Sequence, residues 1–133
     1  DLHTIFKLSL TQNNITQMGG TMRLGQYPCA LTPGTKTYAA YGEPEVMERH
    51  RHRYEFNNAI REDAQNAGLT LCGISPDGNL VEAVEVTDNL FHLGVQYHPE
   101  FKSRPARPQP IFREFIAAAK KYATARKPAK KSK

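Results

Sequence analysis

The chain has 133 residues, enough for one domain with a real core, and its apolar content is 39%. No run approaches the roughly 18 to 20 apolar residues that a membrane-crossing helix needs, and the start Asp1-Leu2-His3-Thr4 has neither the basic residues nor the apolar stretch of a secretion signal. The formal net charge is +5, but Arg126, Lys127, Lys130, Lys131 and Lys133 carry the whole excess, leaving thirteen basic against thirteen acidic residues elsewhere.

Residues 127–133 read as a basic disordered tail after a domain over 1–126. Such a tail can contact nucleic acid or an acidic surface, but a disordered solubilising end is the preferred reading. Cys29 and Cys72 sit in unrelated contexts without CxxC spacing, which argues for free thiols in a reducing cytoplasm rather than a disulfide or a zinc site.

Alternation from Ile5 to Leu10 predicts a strand with Phe6, Leu8 and Leu10 on one face, and the polar residues 11–14 a turn. The next run, Met22 to Leu31, slips in its alternation at Gly25 as a bulge would make it, and Pro33-Gly34 ends it. Glu43 to His52 reads as a short helix entered through Pro44. Asn57 or Asn58 caps a helix over Ala59 to Ala67 that Gly68 stops. Leu69 to Ile74 and Leu80 to Val86 are strands of a hairpin around the turn Ser75-Pro76-Asp77-Gly78-Asn79. Phe91 to Gln96 is nearly continuous in apolar character and is expected inside the sheet. Pro110 opens a last helix whose stripe of Phe112, Phe115, Ile116, Ala119 and Tyr122 is expected to pack as core. Strands and helices mix throughout, so the class is α/β.

Chemistry concentrates at His98-Pro99-Glu100, directly after the last strand. An extended segment projects residues i and i+2 to one side, and Pro99 biases His98 away from helical angles. A carboxylate can then reach the imidazole, fix its tautomer and support its protonation, as in two thirds of a catalytic triad.

Three segments together, Gly19-Gly20-Thr21-Met22-Arg23-Leu24-Gly25, Glu48-Arg49-His50-Arg51-His52-Arg53-Tyr54-Glu55-Phe56-Asn57 and Gln96-Tyr97-His98-Pro99-Glu100-Phe101, resemble the C-terminal glutaminase domain of the CTP synthase family, from about Met18 to Tyr122. The resemblance implies the C-terminal part of a class I glutamine amidotransferase-like domain, with a largely parallel central sheet plus a hairpin. It implies glutamine hydrolysis by a Cys-His-Glu triad, with His98 as general base, Glu100 as its orienter and Arg53 holding substrate glutamine. A planar guanidinium suits that task, since it can bind an α-carboxylate through two parallel hydrogen bonds. The ammonia would pass to a synthase domain for ATP- and Mg2+-dependent amination of UTP to CTP, in pyrimidine nucleotide biosynthesis. GTP as activator, a homotetramer and a cytoplasmic location are implied likewise; no cofactor is expected on this segment itself.

The family's nucleophilic cysteine lies on a glycine-flanked elbow that this sequence does not contain. Cys29 follows Pro28 in a strand pattern and Cys72 lies inside Leu69 to Ile74, so both read as buried, inert thiols. The residues are therefore expected to be one piece of a longer enzyme and inactive alone; the alternative is a non-catalytic, truncated amidotransferase-like interaction module. The run Arg49 to Arg53 is short and balanced by Glu43, Glu45, Glu48 and Glu55, which argues against a nucleic-acid patch. His50 and His52 lack a third ligand at zinc spacing, so no metal site is expected. Arg49 and Arg51 read as structural or surface residues, and Gly19-Gly20 as turn geometry rather than a phosphate cradle.

Overall fold

The computed structural model describes residues 6–8 and 22–126. The expected turn at 11–14, Gly19-Gly20 and the tail 127–133 lie outside the described residues. The first strand, β1, is Phe6–Leu8; it pairs antiparallel with β4, Tyr54–Phe56.

Five further strands make the main sheet: β2 (Arg23–Leu31), β3 (Glu45–His52), β5 (Thr70–Ile74), β6 (Val81–Glu85) and β7 (Leu93–Val95), in the order β3-β2-β5-β6-β7. Every pairing among the described strands is antiparallel, which corrects the expected largely parallel sheet. Parallel neighbours need a long crossover over one face. Here six residues join β5 to β6 and seven join β6 to β7, and connections that short return the chain beside itself.

Glu45 to His52 is a strand, not the helix expected over 43–52. Its eight residues pair with β2 from Glu45 opposite Ala30 to His52 opposite Arg23. Val46, Glu48 and His50 are buried while Met47, Arg49 and Arg51 are exposed, a period of two. Polar residues on the inward face concealed that alternation. No bulge interrupts β2 at Gly25, which stands opposite His50 in continuous register with φ +104°; register shifts fall instead in the β5–β6 hairpin around Gly73.

Helix α1, Lys36–Tyr41, was not foreseen. Thr35 caps it by accepting from the Tyr38 amide, and Gly42 closes it at φ +71°. Glu85 of β6 accepts from the Lys36 and Thr37 amides at 3.1 and 3.0 Å and from the Thr37 hydroxyl at 2.7 Å, pinning the helix start to the sheet. Asn57 caps a 3-10 turn, Asn58–Ile60, that leads into α2, Arg61–Asn66, which is shorter than the helix expected over 59–67. The last helix, α3, is Pro110–Ala125.

Cys72, Ala83, Tyr97 and Ile111 form one apolar cluster, and Cys29, Leu31 and Val46 a second; Tyr41 packs against both. The stripe expected as core on α3 is not core: Phe112, Phe115, Ile116 and Tyr122 are 38 to 64% exposed, and Ile111 is the residue that enters. An amphipathic pattern shows that a helix has an apolar face, not that this stretch of chain covers it. β7 is likewise at the sheet edge rather than inside it. Packing is tight where β5 crosses β2: a Cβ on Gly73 would stand 2.8 Å from Cys29 Sγ and 3.0 Å from Ala83 Cβ. Gly73→Ala is expected to destabilise the fold by about 1–3 kcal/mol through overpacking, measurable as a lower urea midpoint.

Candidate active site

β7 leads the chain into a turn whose approach is fixed before the chemistry begins. Tyr97 is buried, with its hydroxyl 3.0 Å from that of Tyr41. Pro99 is buried in the first turn of a 3-10 helix, Pro99–Phe101, where its missing N–H costs nothing. The His98 backbone N–H donates to the Arg49 carbonyl at 2.9 Å, docking the turn on β3.

His98 Nδ1 consequently lies 2.7 Å from Glu100 Oε1. A carboxylate accepts, so Nδ1 donates and Nε2 is the ring nitrogen left open to another partner, an assignment made from the hydrogen-bond network. The hydrogen bond from His98 holds the Glu100 carboxyl below its ordinary value. Phe101 stacks on the imidazole at 4.9 Å between centroids and 13° between planes. With His98 and Glu100 side chains 37% and 55% exposed, the pair is open to a nucleophile arriving from outside these residues.

Arg53 is half-buried at the bend between β3 and β4. It lies four residues beyond Arg49, about 13 Å along an extended strand, so it stands farther along the strand that holds His98 by its backbone. An open groove of about 480 Å³ lies on the outer face of β2 and β3, bordered by Leu24, Gly25, Arg49, Arg51 and Phe101. It meets the His98 turn through Phe101; His98, Glu100 and Arg53 are not among its lining residues.

Behind β3 is a buried polar network that the sequence analysis did not anticipate. His50, Glu48 and Glu82 are among the largest fully buried side chains. Arg23 Nη1 contacts Glu82 Oε1 at 2.6 Å and Glu55 Oε1 at 3.3 Å. His52 Nδ1 lies 2.9 Å from the Tyr54 carbonyl and His50 Nδ1 2.7 Å from His52 Nε2. A carbonyl cannot donate, so the His52 Nδ1–H does; His52 Nε2 then accepts from His50 Nδ1–H. His50 Nε2 is left facing Glu82 Oε2 at 3.2 Å, off the hydrogen-bond direction and with no other protein partner for either atom.

Burial acts on the two sides of that contact in opposite senses. Burial, joined by the nearby Arg23 charge, pushes His50 down to about 3. Burial pushes Glu82 up against the pull of Arg23, and does the same to Glu55, which rises to about 7. Both shifts favour the uncharged form of each group. Burial also lowers His52, against the Tyr54 carbonyl that favours its protonation. The signal that was available in the sequence is the alternation His50, His52 with the arginines between, once β3 is read as a strand.

Cys29 and Cys72 are fully buried, and burial is the foremost cause pushing both thiols up to about 12. Neither is a thiolate near neutral pH. Among the described residues no group of three or more His, Cys, Asp or Glu could hold a metal ion.

The chain is 57% identical to the CTP synthase of Carboxydothermus hydrogenoformans over 119 residues, covering 90% of this chain and 22% of that protein. It is 57% identical to the CTP synthase of Roseiflexus castenholzii over 122 residues, again 90% of this chain and 22% of the relative. The chain thus spans about a fifth of the length of these relatives. Among solved structures it matches the glutaminase domain of Trypanosoma brucei CTPS with bound acivicin, at TM-score 0.81 and 36% identity, covering 90% of this chain and 47% of that one. The family model "Glutamine amidotransferase class-I" matches residues 4–118, and with the anchored His98–Glu100 pair inside that span, the chain belongs to the class-I glutamine amidotransferases.

Proposed function

We propose that these residues are the C-terminal portion of the glutaminase domain of a CTP synthase, with domain residues 1–126 followed by a basic tail over 127–133. The observation that carries the reading is His98 held at Nδ1 by Glu100 with Nε2 free, in a chain 57% identical to curated CTP synthases. His98 is the general base, Glu100 its orienter, and Arg53 the anchor for the glutamine α-carboxylate. The nucleophilic cysteine is supplied by a segment other than the described residues, whose own thiols are buried.

In this reading His98 Nε2 takes the proton from the cysteine as sulfur adds to the glutamine amide carbon. It returns that proton to the departing ammonia, leaving a thioester. Water, deprotonated at the same nitrogen, then adds to the thioester and releases glutamate with the thiol restored. Glu100 remains ionised and compensates the imidazolium formed in each half.

Ammonia then serves a synthase domain that aminates UTP to CTP with ATP and Mg2+. In this reading that metal belongs to the synthase domain and not to the described residues. GTP activation, a homotetramer and a cytoplasmic location belong to the same proposal; among the described residues no helix is long and apolar enough to cross a membrane.

The test is CTP formation by the full-length protein from UTP and ATP with either glutamine or ammonium as nitrogen donor. Absence of product with both donors removes the reading. Arg53→Lys is expected to raise the glutamine KM about tenfold by losing the two-pronged carboxylate contact, without altering ammonium use. An unchanged glutamine KM removes Arg53 from the site.

A further inference from the structure

Arg53 is the single residue between β3 and β4, and the side chain before it closes a ring around it. His52 Nδ1 donates to the carbonyl of Tyr54 at 2.9 Å, so one imidazole spans both peptide planes that flank Arg53. Those planes set the Cα–Cβ direction from which the guanidinium starts.

The imidazole is itself held. His52 is 11% exposed, and its Nε2 accepts from His50 Nδ1 at 2.7 Å. His50 is fully buried, set edge-on to Tyr27 and Tyr97 at 5.6 and 5.8 Å. On the far side of the bend, Glu55 of β4 is tied to Arg23 of β2 at 3.3 Å. The bend is therefore clamped at its start through His52 and at its end through Glu55.

We propose that His52 is a positioning residue for glutamine binding, acting through its hydrogen bond to the Tyr54 carbonyl to aim Arg53, with His50 as the buried support of that contact. This rests on the reading of Arg53 given above. The hydrogen bonds of His52 run to His50 and Tyr54 and not to His98, so in this reading its loss changes where the substrate carboxylate is held rather than how the amide is cleaved. Misplacing a binding group without removing it weakens capture of the substrate and spares the chemistry of whatever does bind.

The test uses the full-length protein and three variants. His52→Phe keeps the ring volume and loses both hydrogen bonds. His52→Asn places an amide N–H near the position of Nδ1, so it keeps the donor to Tyr54; His52→Gln places its amide nearer Nε2. His52→Phe is expected to raise the glutamine KM about tenfold with kcat within about twofold, and with ammonium-driven CTP formation unchanged. His52→Asn is expected to restore most of the KM and His52→Gln little.

An unchanged KM in His52→Phe overturns the proposal. A parallel loss of glutamine- and ammonium-driven activity also overturns it, because that is general structural damage. Should His52→Phe fail to fold, the Asn and Gln variants decide, and equal KM values in those two overturn the proposal. His98→Ala separates the two levels of inference: retained glutamine-driven activity there sinks the glutaminase reading itself, whereas its loss beside an unaffected His52→Phe sinks the clamp alone.

Discussion

His98→Ala in the full-length protein is expected to lower CTP formation from glutamine by about 10³-fold, while formation from added ammonium stays near the unsubstituted rate. The reason is geometric. His98 Nδ1 is committed to Glu100 at 2.7 Å, and in the proposed role Nε2 is the atom left to take and return a proton. Removing the ring removes both transfers at once. In the proposed reading the synthase chemistry does not use this imidazole, so ammonium bypasses the lesion. Assays with the two donors on one preparation give the ratio directly. Equal loss with both donors, or glutamine use preserved within about tenfold, contradicts the role given to His98.

The His98–Glu100 pair was legible in the sequence because its two members lie two residues apart and Pro99 limits how the chain between them can run. The β5–β6 hairpin was legible for a similar reason: its turn is written in local chemistry, with Asp77 accepting from the Ser75 hydroxyl and the Asn79 amide. What stayed hidden depends on partners far along the chain. Glu48 and His50 look like solvent residues until Tyr41 and Gln109 are seen to meet one and Glu82 the other. Strand direction in the sheet is set by connections whose pairing no local pattern states. The apolar stripe of α3 was read correctly as a stripe, but its exposure depends on what else packs there. Legibility followed sequence separation: contacts within a turn could be read, contacts across the sheet could not.

Glu82→Ala is expected to cost about 3–5 kcal/mol of stability, whereas Glu82→Gln stays within about 1.5 kcal/mol of the unsubstituted protein. Glu82 is fully buried, accepts from Arg23 at 2.6 Å through Oε1 and faces the bare His50 Nε2 through Oε2. Alanine strands both neighbours. Glutamine supplies an oxygen for the guanidinium and an N–H for the imidazole. Urea unfolding of the three proteins at pH 7 separates the cases, and a Gln variant as unstable as the Ala variant would show Glu82 acting as a carboxylate. The pH course carries the same signature. His50, folded at about 3 against an ordinary 6.5, contributes stability present above pH 6.5 that is lost as pH falls toward 3, and His52, also lowered, acts with the same sign. Glu55, folded at about 7 against 4.5, contributes stability present below pH 4.5 that is lost as pH rises to 7; the raised Glu48 and Glu82 share that sign. Between pH 6.5 and 4.5 Glu55 opposes His50 proton for proton, so this pair leaves stability nearly unchanged there. Below 4.5 the buried carboxyls are protonated in both folded and unfolded chains, so their compensation ends. The lowered carboxyls Glu85 and Glu100 then lose their contribution together with His50. Stability should therefore fall steeply only below about pH 4.5, at up to about 1.4 kcal/mol per pH unit for each proton taken up on unfolding. A steep loss starting at pH 6.5 would mean that Glu55 does not offset His50.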